Sequence, residues 1–291
     1  MKTPEPGRRV LNDGPAQAAG LVVVGLAASA LFAPWLAPID PQKLDLGNLL
    51  ATSSWSHPMG TDQIGRDVLS RLIHGARWSL GGALLVTVIV MVVGIGMGAI
   101  SGFSRGPVDL VIMRLVDALL AFPSLILALA VVAAVGPGLV GVLIALASVG
   151  WAGHARVVRG LVLSLREREY VLASRAAGGS ASDIICRHVV PHLVAPMVVL
   201  ATLEVGQLIL ALAGLSFLGL GAQSPTPEWG VMINEGRAFL FRAPRLMVYP
   251  GIAITLTVLA FNVLGDRLRD ILDPRLEPVA NDVSACLRHG R

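Results

Sequence analysis

The sequence predicts an all-α membrane protein with six transmembrane helices. Of its 291 residues, 54% are hydrophobic and only 14% are charged, whereas about 25% of the residues in a soluble domain carry a charge. The apolar residues form long runs without Asp, Glu, Lys or Arg, at 14–39, 79–101, 118–153, 205–227 and 246–265. A helix needs about 20 apolar residues to cross a bilayer. Strands of a membrane barrel would alternate polar and apolar residues, which these runs do not.

Six spans fit these runs. They lie at 15–37, 79–101, 116–135, 139–155, 193–213 and 246–265. The longest run is divided at Gly136-Pro137-Gly138, because it exceeds one crossing and this tripeptide is typical of a turn. In the second span, Gly94, Gly96 and Gly98 predict close packing against a neighbouring helix.

The first span resembles a signal peptide in part. Lys2, Arg8 and Arg9 precede it, and Ala28-Ser29-Ala30 has the small residues of a cleavage site. The apolar stretch nevertheless continues to Leu36, further than an ordinary signal core extends. We therefore predict an uncleaved anchor, with a removed signal peptide as the alternative.

Basic residues predict the orientation of the chain. The segments 1–13, 102–114, 154–191 and 266–291 contain 16 Lys and Arg residues, whereas 38–78 and 214–245 contain 7. Because cytoplasmic loops carry the excess of Lys and Arg, both termini are predicted to be cytoplasmic. The chain then divides into a cytoplasmic N-terminus at 1–14, the first span at 15–37, an extracytoplasmic loop at 38–78, a five-span core at 79–265 and a cytoplasmic tail at 266–291.

Two extracytoplasmic segments have distinct patterns. Within 62–77 the apolar residues fall on one helical face while Arg66 and Asp67 lie largely opposite, which predicts an amphipathic helix that lies at the outer interface or, as the alternative, forms a lid on the bundle. Segment 214–245 has too many Gly and Pro residues for one continuous helix, which predicts a half-inserted hairpin shielded by protein. Its Trp229 is predicted to lie at the membrane interface.

The loop 154–191 contains six arginines and a helical pattern. Good helix formers fill 165–177, Gly178-Gly179 ends that helix, and Ser180 is placed to cap a second helix. Pro191 is predicted to end or kink this second helix. The pattern predicts a stiff protrusion, with an Arg-rich loop that only contacts anionic lipid as the alternative.

Residue types exclude several classes of protein. Neither Lys2 nor Lys43 follows a glycine, so the sequence has no G-x-x-x-x-G-K-[ST] phosphate loop and ATP would be bound by another chain. The other 21 basic residues are arginines spread among loops, without the aromatic-interleaved patch of a nucleic-acid-binding protein. Cys186 and Cys286 are too few for a disulfide framework or a cysteine-built metal site.

Three stretches resemble the permeases of ABC importers for peptides and nickel. Glu169-Tyr170-Val171-Leu172-Ala173-Ser174-Arg175-Ala176-Ala177-Gly178, followed by His188-Val189-Val190-Pro191, is similar to the EAA loop, which reads E-A-A, three residues, G, nine residues, I-x-L-P. Leu172, Ser174 and His188 depart from that pattern. Residues 57–71, which begin HPMGTDQIGRD, resemble the family's H-P-[LM]-G-T-D-x-x-G-R-D segment, and 213–230 resemble its G-L-S-F-L-G-L-G-x-x-x-P-x-P-x-W-G segment.

The resemblance implies a type I ABC importer permease with a cytoplasmic EAA coupling helix, the C-type permease of an oligopeptide, dipeptide or nickel importer. It implies pairing with a second, B-type permease, with two ABC ATPase subunits that bind ATP, and with an extracytoplasmic substrate-binding protein. This chain then needs no cofactor and no catalytic residue. The coupling residues carried over within 165–191 are Glu169, Leu172, Ala173, Ser174, Arg175, Gly178, Ser182, Asp183, Arg187 and Pro191.

Glu204, Gln207 and Ser216 are candidates for the translocation pathway. An acid deep in a span is a functional candidate because a charge there is costly. Glu204 is expected to contact either a cationic solute or, in a structural role, Gln207 or a partner subunit. Rival interpretations are a channel, for which the protrusion has no evident use, and an intramembrane enzyme, for which no span holds a His or Lys deep enough to act as a base. His188 and His192 are expected to be ordinary loop residues, and no metal site is predicted.

Overall fold

The computed structural model describes residues 14–104 and 106–272, which form helices joined by loops. The helices are α1 (Gly14–Leu31), α2 (Ala33–Leu36), α3 (Val68–Phe103), α4 (Pro107–Leu120), α5 (Ser124–Val135), α6 (Leu139–Leu165), α7 (Glu169–Ala176), α8 (Ala181–Ile184), α9 (Val190–Phe217), α10 (Trp229–Gly236) and α11 (Arg245–Leu272). The predicted N-terminal segment, up to residue 13, and the predicted tail beyond residue 272 lie outside the described residues.

Within the described residues, five helices are long and apolar enough to cross a bilayer, namely α1, α3, α6, α9 and α11. A sixth crossing results if α4 and α5 together count as one span. Residues 136–138 separate α5 from α6, at the turn that the sequence predicts. The all-α membrane fold is therefore confirmed.

The third crossing is not the straight helix predicted at 116–135. α4 and α5 meet at an angle of 94°. Pro123, with a ψ of 125°, lies outside both helices. A proline cannot donate a backbone hydrogen bond, and its ring disfavours helical backbone at the preceding residue. The helix therefore stops near Ala121 and starts again at Ser124 in a new direction.

The second crossing begins earlier than its apolar run. α3 runs unbroken from Val68 to Phe103, so the separate interface helix predicted at 62–77 is wrong. Asp67 caps α3, because its carboxylate accepts hydrogen bonds from the Ser70 backbone N–H at 2.8 Å and from the Ser70 hydroxyl at 2.7 Å. No proline follows before Phe103, so the helix propagates into the membrane span.

α3 and α6 pack closely along glycines of α3. A Cβ atom added at Gly94 would lie 2.7 Å from Cβ of His154, and one added at Gly98 would lie 2.6 Å from the backbone oxygen of Ala155. Gly96 has no such neighbour within 4 Å among the residues that the structure describes. The predicted role in close packing is therefore confirmed for Gly94 and Gly98, which face α6, whereas Gly96 faces away from α6.

The segment between α9 and α11 folds back on the bundle as α10. Glu228 caps α10, since its carboxylate accepts hydrogen bonds at 3.0 Å from the backbone N–H groups of Gly230 and Val231. Trp229 is 1% exposed, and its indole N–H donates to the Leu72 carbonyl at 3.0 Å. The predicted position of Trp229 at the membrane interface is therefore wrong, because the ring is buried against α3 and its polar atom is paired there.

Candidate functional site

The protrusion predicted around 165–191 begins with α7, whose one buried residue is Val171. Val171 is 0% exposed and belongs to an apolar cluster with Val162 of α6 and Ile184 of α8. In the turn between α6 and α7, the Arg166 guanidinium donates to the Gly102 carbonyl at 3.0 Å. α7 is therefore anchored at its base to α3, α6 and α8.

Gly178 ends α7 as the sequence predicts. Its φ is +84°, in the left-handed region that glycine adopts without steric cost. The backbone N–H of Gly178 donates to the Arg175 carbonyl at 3.1 Å, and that of Gly179 donates to the Ser174 carbonyl at 3.0 Å. This pair of bonds is the Schellman motif, which satisfies the last carbonyls of a helix and sets the direction of the chain beyond it.

α8 begins with the predicted side-chain cap. The Ser180 hydroxyl accepts a hydrogen bond from the Asp183 backbone N–H at 3.2 Å and donates to the Asp183 carboxylate at 2.6 Å. Pro191 does not end this helix, so the first of the two predicted effects is wrong, because a π-helical turn at Ile185–Val189 leads directly into α9. In a π-helical turn, each backbone N–H donates to the carbonyl five residues earlier. This wider turn relieves the clash of the proline ring with the preceding turn.

Two aromatic contacts brace the protrusion against the bundle. The Arg175 guanidinium lies 5.1 Å from the centre of the Phe103 ring at the end of α3, a cation–π contact. Tyr170 stacks on His192 of α9, with 5.6 Å between the ring centroids. These contacts join α7 directly to two membrane-spanning helices.

The exposed part of α7 combines apolar residues with one acid and one arginine. Glu169, Leu172, Ala173 and Ala176 are exposed, Leu172 to 48%. Among the other predicted coupling residues, Ser174 is half-buried, Arg175, Gly178, Asp183 and Arg187 are exposed, and the side chain of Ser182 lies outside the described part of the structure. An exposed leucine flanked by alanines on a protruding helix favours contact with another protein.

A second site lies within the bundle between α5, α6 and α9. It is a cavity of about 150 Å³ whose wall is mostly apolar and includes Glu204 and Gln207. Ser216 does not reach it, since its side chain is 0% exposed near the end of α9. Cβ atoms added at Gly221 or Gly230 would collide with Ser216. The structure therefore brings two of the three pathway candidates together and places the third in a tightly packed turn.

His154 is the functional candidate that sequence reasoning missed. α6 continues to Leu165, well beyond the span end predicted at residue 155, so His154 lies near the middle of its helix. Its Nε2 atom is 3.6 Å from Oε2 of Glu204, and the two side chains are 11% and 17% exposed. This contact was not predicted from the sequence, because the predicted span ended at residue 155, one residue beyond His154.

The HPMGTDQIGRD stretch forms a buried ionic network at the N-terminal end of α3, the end away from α7. Asp62 Oδ2 accepts from Arg66 Nε at 2.6 Å and from Arg71 Nη1 at 2.5 Å. Oε2 of Glu235 in α10 lies 2.7 Å from Arg66 Nη2 and 2.8 Å from Arg71 Nη2. Two cations balance two anions, which allows burial. Arg66, predicted on the polar face of an interface helix, is thus an internal residue.

Comparison with known proteins identifies the family. Residues 94–278 match the model of the family described as binding-protein-dependent transport system inner membrane component. The chain belongs to this family. The permease is 47% identical over 257 residues to the di/tripeptide transport system permease protein DppC of Pseudomonas aeruginosa, covering 86% of this chain and 85% of that one.

Two further relatives are named for other solutes. The nickel transport system permease protein NikC of Escherichia coli is 43% identical over 256 residues, 88% of this chain and 92% of that one. The glutathione transport system permease protein GsiD of Pectobacterium atrosepticum is 43% identical over 271 residues, 93% of this chain and 90% of that one.

Membership of the family confirms the coarse functional prediction. The chain is a multi-pass inner membrane protein and a permease subunit of an ABC importer of the peptide and nickel class. Its relatives are named as transport permeases and not as enzymes, which removes the intramembrane enzyme as an interpretation. Permeases of this family operate with ATPase and substrate-binding partners.

Proposed function

We propose that this permease carries dipeptides or oligopeptides across the cytoplasmic membrane as a heterodimer with a second, B-type permease. The names of two relatives support peptide as the solute, one named for di- and tripeptides and one for glutathione, which is itself a small peptide. Nickel is the second candidate, because the relative named for nickel is 43% identical over 88% of this chain.

Transport is driven through α7. Two ATPase subunits bind ATP, and the exposed face around Leu172 docks on one of them. The observation that carries this step is the anchoring of α7, whose base is held by buried Val171 and whose end is closed at Gly178. A helix braced in this way transmits a displacement to α6 and α9, whereas a flexible loop would absorb it.

The α7 end of the bundle faces the cytoplasm, and so do both termini. The segments at this end contain most of the Lys and Arg residues, as expected for cytoplasmic segments. The network of Asp62, Arg66, Arg71 and Glu235 then lies on the extracytoplasmic side. The substrate-binding protein docks on that side and delivers the solute.

The solute passes along the face that contains Glu204 and Gln207, between this permease and its partner. Gln207 is exposed, and the carboxylate of Glu204 is reached from the same cavity. A carboxylate or a carboxamide that faces lipid is energetically unfavourable. A water-containing pathway beside a second permease removes that cost, which favours this face as the route.

Uptake measured in a strain that lacks the chromosomal copy of this permease tests which solute the permease carries. Expression of the permease with its partner subunits should restore uptake of labelled alanyl-alanine or trialanine. Restoration of nickel chloride uptake without peptide uptake would support the second candidate. The same cells test the assembly, because the tagged permease should purify with a second permease and two ATPases, whereas a channel would purify alone.

A further inference from the structure

The imidazole ring of His154 is oriented by its own helix. Its Nδ1 atom lies 3.1 Å from the carbonyl oxygen of Gly150. Because a carbonyl oxygen only accepts hydrogen bonds, Nδ1 carries a hydrogen and donates it. The other ring nitrogen, Nε2, faces Oε2 of Glu204 at 3.6 Å.

This arrangement sets two acceptors face to face. A neutral imidazole with its hydrogen on Nδ1 has a lone pair on Nε2, and both oxygens of a carboxylate are acceptors. Acceptors held this close in surroundings poor in water repel each other unless a proton or another cation joins them. Within residues 14–104 and 106–272, His154 is the one basic side chain within ion-pair distance of Glu204. The pair is therefore suited to hold one positive charge.

Glu204 of this pair lines the cavity between α5, α6 and α9, and His154 lies behind its carboxylate. Glu204 is 17% exposed, and Gln207 lies one turn further along the same side of α9. In the part of the chain that the structure describes, the Gln207 carboxamide has no hydrogen-bond partner. The cavity thus offers one negative charge, one free amide and apolar walls, which include Leu146 and Val149.

We propose that Glu204, His154 and Gln207 bind the ammonium end of the transported solute, which is the N-terminal amine of a peptide if the proposed function holds. The Glu204 carboxylate and His154 Nε2 accept hydrogen bonds from the ammonium group, and Gln207 pairs with the first peptide group. In the empty site a proton occupies the pair. One carboxylate balances one positive charge, whereas a nickel ion carries two and has only one charged ligand here.

Carbodiimide labelling tests the site without relying on transport. Dicyclohexylcarbodiimide modifies protonated carboxyl groups in apolar surroundings, and mass spectrometry of the assembled importer in liposomes measures the modification of Glu204. Alanyl-alanine amide, which has a free ammonium group, should slow the labelling at least fivefold. N-acetyl-alanyl-alanine amide, which has no charge, and nickel chloride should not. Absence of protection, equal protection by both peptides, or protection by nickel chloride alone would each overturn the ammonium site.

Uptake measurements separate binding from a structural role for the pair. Glu204→Gln should reduce uptake of alanyl-alanine at least tenfold, and the double variant Glu204→Gln/His154→Gln should be equally defective. A merely structural pair predicts recovery in the double variant, because two carboxamides hydrogen-bond to each other, and recovery would overturn the proposal.

The outcomes also separate this site from the proposed function. If the unmodified importer moves no peptide but alanyl-alanine amide still protects Glu204, the solute assignment fails and the ammonium site stands. If the importer moves peptide and alanyl-alanine amide gives no protection, the site alone fails.

Discussion

Arg66 Nη2 lies 2.7 Å from Oε2 of Glu235, although 169 residues separate the two in the chain. The contact connects the loop before α3 to α10, and Asp62 and Arg71 complete the network around it. The side chains of Arg66 and Glu235 are 1% and 16% exposed. The network therefore fixes the loop before α3 against α10, on the side where the binding protein is proposed to dock.

Glu235→Gln should lower the stability of the permease by about 3 kcal/mol, because Arg66 and Arg71 would then share a single buried carboxylate, that of Asp62. Thermal melting of the purified complex in detergent measures the change. Asp270→Asn is the matched control, since it breaks the exposed pair with Arg267, whose atoms are 3.5 Å apart, and exposed pairs contribute little. Equal melting shifts for the two variants would contradict the structural importance of the buried network.

Gly178→Pro should leave the protein in the membrane and uncouple ATP hydrolysis from uptake. Proline cannot adopt a φ of +84°, and it lacks the N–H that donates to the Arg175 carbonyl. Gly178→Ala is the control, because it keeps the N–H and costs only about 1 kcal/mol in the left-handed region. ATPase activity and uptake measured in the same liposomes should separate for the proline variant and stay largely coupled for the alanine variant. Normal uptake with proline at this position would refute the role of the bend.

Val171→Ala and Leu172→Ala should affect different properties, the stability of α7 and the docking of the ATPase, although the residues are neighbours. Val171 is 0% exposed, and its truncation should loosen α7 by about 2 kcal/mol, from the buried methyl groups lost and the cavity left behind. Leu172 is 48% exposed, so its truncation should weaken ATPase docking and leave the isolated permease as stable as before. Proteolysis of the α7 region measures the first effect, and retention of the ATPases during purification measures the second. A loss of protease resistance in the Leu172 variant would contradict this division.

Features set by neighbouring residues were predictable from the sequence. Gly178-Gly179 and Ser180 act within a few residues, and the structure has the turn and the cap where the pattern places them. Membrane crossings were predictable because apolar run length is also a local property. The bend at Pro123 had a local signal as well, but the apolar run across it favoured a straight span.

Contacts between distant segments could not be read from the sequence. Nothing near Arg66 indicates that Glu235 will neutralise it, so the motif looked like the polar face of a surface helix. Likewise, His154, the partner of Glu204, lies on α6. The helical periodicity of α9 indicates only Gln207 as a neighbour of Glu204. Burial of a charge depends on what the rest of the chain brings to it, which composition and periodicity do not report.

Gly98→Ala should destabilise the permease, whereas Gly96→Ala should not. A Cβ atom added at position 98 would lie 2.6 Å from both the backbone oxygen of Ala155 and Cβ of Val158. Neither the backbone nor this branched side chain can move aside unless α3 separates from α6. Overpacking of this kind costs about 1–3 kcal/mol. Position 96 faces open space, and alanine favours a helix over glycine, so Gly96→Ala should melt at the same or a higher temperature.

The same pair of variants probes the cavity. Gly94 lies against His154 on the face of α3 that also carries Gly98, so a separation of α3 from α6 would move the imidazole relative to Glu204. Gly98→Ala should therefore also change the rate at which carbodiimide labels Glu204, and Gly96→Ala should leave that rate unchanged. Equal melting temperatures and equal labelling rates for the two variants would show that the α3–α6 contact yields easily, and the position of His154 would then need another support.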